Sequence, residues 1–315
     1  MISFFCPQHA LHAPEYEFFL GERVMCFESP SRAQFVLDEL NKRGHEVRTP
    51  TTDSLATLRR VHAQRYLAFL ESAWSEWTAI EPGNAKVQPF PSVWPVRTLR
   101  SDLEPINYTA KLGLYSMDNG CALTEGTWSA AKAGADFMGG YCFVNNAAVA
   151  AQDLVDGGCP LVAILDIDYH HGNGTQSIFY QRADVLVANI HGDPRTEYPF
   201  YLGYPDEVGD AAGSGFNLNL PLPAGTTARK WFEALEVASA RIVRHRPGAL
   251  VVSLGLDTFV DDPICKFSLG SDDFSRIGER IRKMGLPTIF VLEGGYAAAE
   301  LRVNAVNVLD GFENA

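Results

Sequence analysis

Residues Leu161 to Gln176, LVAILDIDYHHGNGTQ, constrain this chain more than any other stretch. A five-residue apolar run, Leu161 to Leu165, gives way to Asp166, Asp168, His170 and His171, and then to glycines. Apolar residues that dense, with no alternation, predict a strand buried on both faces of a parallel sheet. Strands of that kind present their chemistry at the carboxyl end, which here holds two carboxylates and two imidazoles. Asp168 and His170 are two apart, so in extended backbone both side chains point to one side. That spacing suits a metal ion.

Three later segments repeat the pattern. Val185 to Ile190 ends at His191, ALVVSLGL (Ala249 to Leu256) ends at Asp257, and PTIFVL (Pro287 to Leu292) ends at Glu293-Gly294-Gly295-Tyr296. Amphipathic helices lie between them. One carries Trp231, Leu235, Ala238 and Ile242 on a face; another starts at Ser271 as cap and carries Phe274, Ile277, Ile281 and Met284, with Gly285 past its end. Strands alternating with helices predict an α/β fold with a parallel sheet wrapped on both faces. Polar residues at four strand ends then converge on one edge.

Nearer the N-terminus, Ser29 as cap, Pro30 in the first turn and Ala33, Val36, Leu37 and Leu40 on one face predict a helix that Gly44 ends. A second helix is predicted from Asp53 to Trp77. Residues 81 to 108 are proline-rich and read as a long ordered loop, with Phe90, Trp94 and Tyr108 interleaved.

A chain of 315 residues that is 46% hydrophobic can bury one large core or two small ones, and no linker, repeat or low-complexity run divides it. No apolar run approaches the ~20 residues of a membrane span. The N-terminus carries no signal-peptide pattern. Cys6, Cys26, Cys121, Cys142, Cys159 and Cys265 form no CxxC, as expected of reduced thiols in a cytoplasm. A net charge of −12 argues against a nucleic-acid-binding surface and suits a small cationic ligand.

Asp168, His170 and Asp257 make a three-ligand site with room for water, as catalytic zinc sites have. Oxygen and nitrogen donors without thiolate also suit Fe(II), Co(II) or Mn(II). A bound metal lowers the pKa of its water to ~7 and polarises a carbonyl oxygen. Tyr296, after two glycines, is placed to donate its hydroxyl to a developing oxyanion. A lone DxD at a strand end is more often a capping or turn pair; His170 at the same alternation brings the metal reading level with it. His171 is expected to point away from a metal and to pack or hydrogen-bond.

Four motifs in order, DIDYHHGNGTQ, GGYCFVNNAAVAAQ, SLGLDTFVDDP and LEGGY, resemble the histone deacetylase superfamily. PQHALHAPEYE, FESPSRAQFVLDELNKRGH, VHAQRYLAFLESAW and GTWSAA narrow the resemblance to bacterial acetylpolyamine amidohydrolases, which are similar to class II deacetylases. It spans nearly the whole chain. It implies a three-layer α/β/α sandwich of the arginase type, one catalytic domain over residues 1–315, and a long loop at about 81–125 shaping the substrate entrance.

By position, the resemblance makes Asp168, His170 and Asp257 the Zn2+ ligands and Tyr296 the transition-state hydrogen-bond donor. Asp166 matches a residue that helps to hold a structural K+. Gly140 and Tyr141 match the wall of a narrow tunnel for the acylated side chain, and His191 its rim. The implied substrate is a small cationic acylated amine, and the implied assembly a homodimer. Asp102, Glu104, Asp118 and Glu125 are candidates to meet the substrate ammonium.

One departure is plain. The family's general acid/base is a tandem histidine pair in a PGHHA-like segment shortly before GGYCF. This chain has eight histidines, and its sole His-His pair is His170-His171. With GADFMGGYCF aligned, Ala131 and Lys132 stand where the pair belongs. The interval from Gly126 to Gly139 is also shorter than in the family, by part of a helix and the strand leading into the pair. Each backbone group left unpaired by such a loss costs ~1–3 kcal/mol, against a total stability of ~5–15 kcal/mol. Another segment rebuilds the sheet, or residues are missing from the sequence, or a natural or engineered variant tolerates the loss. Missing residues or an engineered alteration are the favoured reading. As it stands, the chain is predicted to be a strongly impaired catalyst, or a non-catalytic binder of acylated amines. A broad acyl-lysine deacylase, with a wider tunnel, is the other catalytic alternative.

Overall fold

The computed structural model describes residues 1–19, 21–51, 55–96, 102–131, 138 and 140–315. In chain order its first elements are β1 (Ile2–Phe4), β2 (Glu17–Phe19), β3 (Glu22–Val24), α1 (Ser31–Arg43), β4 (Glu46–Arg48), α2 (Leu55–Val61), α3 (Gln64–Ile80), α4 (Tyr108–Leu114), α5 (Thr127–Ala131) and α6 (Asn146–Asp156). There follow β5 (Val162–Asp166), α7 (Asn173–Phe179), β6 (Val185–Gly192), β7 (Asn217–Leu222), α8 (Ala228–His245), β8 (Ala249–Leu254), α9 (Ser271–Arg282), β9 (Thr288–Leu292) and α10 (Ala298–Asn314). Backbone contacts divide the chain into a first unit (1–4, 32–48 and 150–315) and a second (5–31 and 49–149). No helix of the described residues is long and apolar enough to cross a membrane.

The first unit contains a five-stranded sheet in the order β7-β6-β5-β8-β9, and every pairing in it is parallel. Ala163, Leu165, Leu186, Ala188, Leu250 and Val252 share one core with helix residues such as Trp231 and Ile277. The alternate residues Val162, Ile164, Val185 and Val251 are equally buried, so both faces of the central strands are covered. This is the α/β architecture that the four apolar runs predict. α8 buries Trp231, Leu235, Ala238 and Ile242, the spacing of a single helical face. α9 starts at Ser271, but Ser271 is not its cap: Gly270 is, and the Asp273 carboxylate accepts the Gly270 N–H at 3.0 Å.

The short interval before Gly139 has a visible correlate at the sheet edge. β5 in the centre is paired on both sides, by β6 and β8. On β9, Pro287 O and Glu293 N bond to β8. Alternation therefore turns the N–H and C=O groups of Thr288, Phe290 and Leu292 away from it. Among the described residues no strand pairs with that side, and Ile289 and Leu292 stay 41% and 36% exposed. β1 and β4 form a separate two-stranded parallel sheet in the same unit. No described segment rebuilds an inner strand against β9.

In the second unit the expected single helix from Asp53 to Trp77 is two, α2 and α3, because Ala63 between them is extended (φ −61°, ψ 130°). Asp53 itself lies outside the described residues. α3 buries Tyr66, Leu67, Phe69, Leu70 and Ala73, and the Tyr66 hydroxyl donates to the Phe143 carbonyl at 2.7 Å. The proline-rich stretch includes a 3-10 turn, Pro82–Lys86, and leads into α4, whose cap Asn107 accepts the Ala110 N–H. Trp77 stacks on Tyr108 at 5.4 Å between centroids. Ser116 and Met138 form an isolated parallel bridge. Lys132, where one of the paired histidines would stand, lies outside the described residues.

Candidate metal centre

β5 ends at Asp166, so Asp168 and His170 stand on a bend beyond the strand rather than in extended backbone. Alternation by two is therefore not what brings them together. A run of side-chain-to-main-chain bonds does so. Asp166 Oδ1 accepts the Asp168 N–H at 3.1 Å, and Asp168 Oδ1 accepts the His170 N–H at 2.9 Å. Asp257, from the end of β8, accepts the Tyr169 N–H at 2.8 Å through Oδ1. One ligand atom from each of Asp168, His170 and Asp257 lies within 4.8 Å of the others.

His170 Nδ1 stands 3.3 Å from Asp168 Oδ1 and 3.0 Å from Asp257 Oδ2. Burial alone would lower the His170 pKa, but the two carboxylates beside it outweigh burial and hold the value up to about 10. Burial, then the Asp168 charge, pushes Asp257 up to about 7. For Asp168, burial raises the value but the neighbouring His170 brings it below the usual carboxylate range. Asp257 is fully buried, and its Oδ2, although close to His170, makes no aligned hydrogen bond. A buried carboxylate oxygen without a hydrogen bond, facing an imidazole and a second carboxylate, is one that a cation would satisfy. The donor set fits a divalent ion of the zinc class.

Glycines leave room for it. A Cβ on Gly255 would lie 2.3 Å from Asp168 Oδ2, and one on Gly294 would lie 2.3 Å from the same atom and 3.0 Å from Asp257 Oδ2. The Gly294 N–H donates to Asp168 Oδ2 at 3.1 Å, which seats the Glu293–Tyr296 turn against the triad. Arg32, in α1, donates Nε to the Gly295 carbonyl and Nη2 to the Glu293 carbonyl, both at 2.6 Å, with its guanidinium 4.7 Å from the Tyr296 ring centre. Asp262 Oδ2 accepts the Tyr296 N–H at 2.7 Å. Neither Arg32 nor Asp262 stands out in the sequence, although both lie inside recognisable motifs.

The other expected residues fall as follows. Asp166 is buried, its pKa raised by burial and then by Asp168, and its Oδ2 would meet a Cβ on Gly172 at 2.3 Å. His171 turns to Gln176, with Nε2 2.9 Å from Oε1. His191 is 1% exposed, donates Nδ1–H to the Gly192 carbonyl and packs 4.8 Å from the His171 ring. Gly140 and Tyr141 belong to the second unit, where both adopt left-handed backbone at φ 55° and 65°. Asp118 accepts the Gly140 N–H at 2.9 Å, and Glu17 accepts the Tyr141 hydroxyl at 2.8 Å.

The histone deacetylase domain family matches residues 26–312. This chain belongs to that family. It is 47% identical over 344 positions to acetylpolyamine amidohydrolase 2 of Pseudomonas aeruginosa, with 99% of each chain covered. It is 40% identical to the acetylpolyamine amidohydrolase of Mycoplana ramosa, with 98% of each covered. The crystal structure of the acetylpolyamine aminohydrolase of Burkholderia pseudomallei superposes with a TM-score of 0.92 at 34% identity, covering 99% of this chain and 98% of that one. The first alignment runs to 344 positions against 315 residues here, so at least 29 of its positions, the excess of the one over the other, have no counterpart in this chain.

Proposed function

We propose that this chain is a metal-dependent amidohydrolase that removes acetyl or similar acyl groups from small cationic amines, acetylpolyamines above all. The observation that carries the proposal is the Asp168–His170–Asp257 triad, half-buried at Asp168 and His170 and fully buried at Asp257, beside the Tyr296 turn, in a chain 47% identical to an acetylpolyamine amidohydrolase. Asp168, His170 and Asp257 would hold Zn2+, or Fe2+, Co2+ or Mn2+ in its place. When bound, such an ion polarises the amide carbonyl and acidifies water. Tyr296 donates its hydroxyl to the carbonyl oxygen and stabilises the charge that develops there. Asp168 and Asp257, held by main-chain N–H donors, keep the site rigid and negative.

The same reading assigns Gly140, Tyr141 and His191 to the substrate tunnel and Asp166 to a structural K+ site. Residues 1–315 form one catalytic domain in it, with the segment at about 81–125 shaping the entrance; the family match across 26–312 supports this. A homodimer is part of the proposal. Ile106, Leu103, Val96, Val93 and Trp94 are 98, 60, 58, 53 and 38% exposed, apolar side chains that a second copy would cover. All six cysteines are free thiols, in keeping with a cytoplasmic protein.

The absent histidine pair and the unmatched positions favour a second reading, a binder of acylated amines with little turnover. Of the imidazoles around the triad, His171 pairs through Nε2 with Gln176 and His191 through Nδ1 with the Gly192 carbonyl, each leaving its other ring nitrogen without a hydrogen bond. Loss of acid–base catalysis lowers turnover by ~10²–10⁴-fold. Hydroxamate binding and acetylputrescine hydrolysis are to be measured on one zinc- or iron-loaded sample. Binding with slow turnover is expected. Binding with none supports the second reading, and absence of both metal uptake and hydrolysis would sink the proposal.

A further inference from the structure

The turn that carries Tyr296 is gripped from two directions, and one of the holders has no part in the chemistry above. From α1, Arg32 takes the carbonyls of Glu293 and Gly295. Against it stands Asp262, 6% exposed, whose Oδ2 accepts the Tyr296 N–H at 2.7 Å while Oδ1 accepts the Ile264 N–H at 3.1 Å. The turn needs an outside grip because Gly295, at φ 126°, occupies a conformation with little preference of its own. A Cβ there would meet Leu301 Cδ1 at 2.8 Å and Leu256 Cβ at 2.9 Å.

We propose that Asp262 is a positioning residue for Tyr296. Its carboxylate fixes the main chain at the point from which the phenol projects, and so fixes where the hydroxyl stands relative to the Asp168–His170–Asp257 triad. Asp262 also belongs to the segment that carries Asp257. Its N–H donates to the Phe259 carbonyl, the Phe259 N–H donates to the Leu256 carbonyl, and the Leu256 N–H donates to the Gly294 carbonyl. One buried side chain thereby ties the ligand-bearing segment after β8 to the phenol-bearing turn after β9. This assignment rests on the role proposed for Tyr296, and Asp262 itself is given no contact with substrate.

The residue type follows from the donors. Both oxygens of Asp262 face N–H groups, which a carboxylate accepts with charge assistance. An asparagine has the same shape but would turn an NH2 against one of those N–H groups, a donor against a donor. The conservative D262N change should therefore loosen the turn rather than merely trim it.

Two measurements on wild type, D262N, Y296F and the double variant test this. The first is amide hydrogen exchange of residues 293–297 in the metal-free protein. The second is hydroxamate affinity of the zinc-loaded protein, with zinc affinity as control. D262N is expected to speed exchange in that segment about tenfold or more, to leave zinc affinity within about twofold, and to weaken hydroxamate binding about tenfold. In the Y296F background it should weaken binding no further. Unchanged exchange overturns the assignment. Additive losses in the double variant, or an equal loss of zinc affinity, also overturn it, since Asp262 would then act on the triad and not through Tyr296. Should D262N fail to fold, Asp262→Ser takes its place under the same outcomes. A wild-type protein that binds neither zinc nor hydroxamate defeats the proposed function instead, and the exchange measurement still decides the Asp262 contact.

Discussion

Gly294 donates its main-chain N–H to Oδ2 of Asp168 at 3.1 Å, joining residues 126 apart in sequence. Backbone walls the Asp168–His170–Asp257 triad at this point because no side chain fits: a Cβ on Gly294 would sit 2.3 Å from that oxygen. Gly294→Ala should therefore push the Asp168 carboxylate out of place and lower zinc affinity about tenfold or more, the scale of lost ligand support. Gly255→Ala should do the same from the other side. Chelator competition measures both, and an affinity equal to wild type would show that the triad relaxes around the methyl.

Metal uptake should release protons. In the metal-free site the two carboxylates hold His170 protonated up to about 10, against the opposing effect of burial. Burial and Asp168 keep Asp257 up at about 7. A ligand nitrogen must be deprotonated, so the ion competes with the His170 proton and apparent affinity should climb with pH between those two values. Titration calorimetry at pH 8 in buffers of different ionisation enthalpy reads the proton count. A count of zero would contradict this electrostatic picture.

The fold should lose stability on mild acidification. Burial lowers His12 from 6.5 to about 4 and, with the neighbouring His171, lowers His191 to about 3. Both are therefore neutral when folded and take up protons when unfolded. The unfolded chain binds more protons below the unfolded value, so stability is complete above it and falls as pH drops from about 6.5 toward the folded values. Urea midpoints at pH 7.5 and 5 test the sign. The His12→Gln, His191→Gln double variant should show the smaller difference between them.

The open side of β9 should make the chain prone to association. The backbone groups of Thr288, Phe290 and Leu292 turn outward with no partner strand among the described residues, and Ile289 and Leu292 are exposed. Native proteins blunt such edges with charge. Leu292→Lys should reduce concentration-dependent aggregation while changing the urea midpoint little, because exposed positions contribute little to stability. Light scattering compares the two proteins, and equal aggregation would locate the sticky surface elsewhere.

Much of the first unit was legible because its signals are local. An unbroken apolar run is the mark of a strand buried on both faces, and the runs ending at Asp166, His191, Asp257 and Glu293 all form strands of one sheet. The face of α8 likewise follows from a spacing of three to four residues. β7, NLNLPL, escaped notice because it lies at the sheet edge, where apolar and polar residues alternate. The break at Ala63 and the cap at Gly270 escaped notice for a different reason. Each depends on a backbone angle or a neighbour's carboxylate, which periodicity does not register.

The amino-acid sequence by itself determined the candidate ligand types, four of the five strands of the sheet and the family, since these depend on residue identity and on spacing along one strand or helix. It also revealed the missing histidine pair. Tertiary structure alone decided how the centre is assembled. Asp168 and His170 meet on a bend through main-chain donors, Gly255 and Gly294 keep the space open, and Arg32 and Asp262 hold the Tyr296 turn from 263 and 34 residues away. Contacts of that kind join side chains to backbone groups of distant segments. They leave no periodic trace, because any backbone N–H or carbonyl can serve as the partner whatever residue bears it.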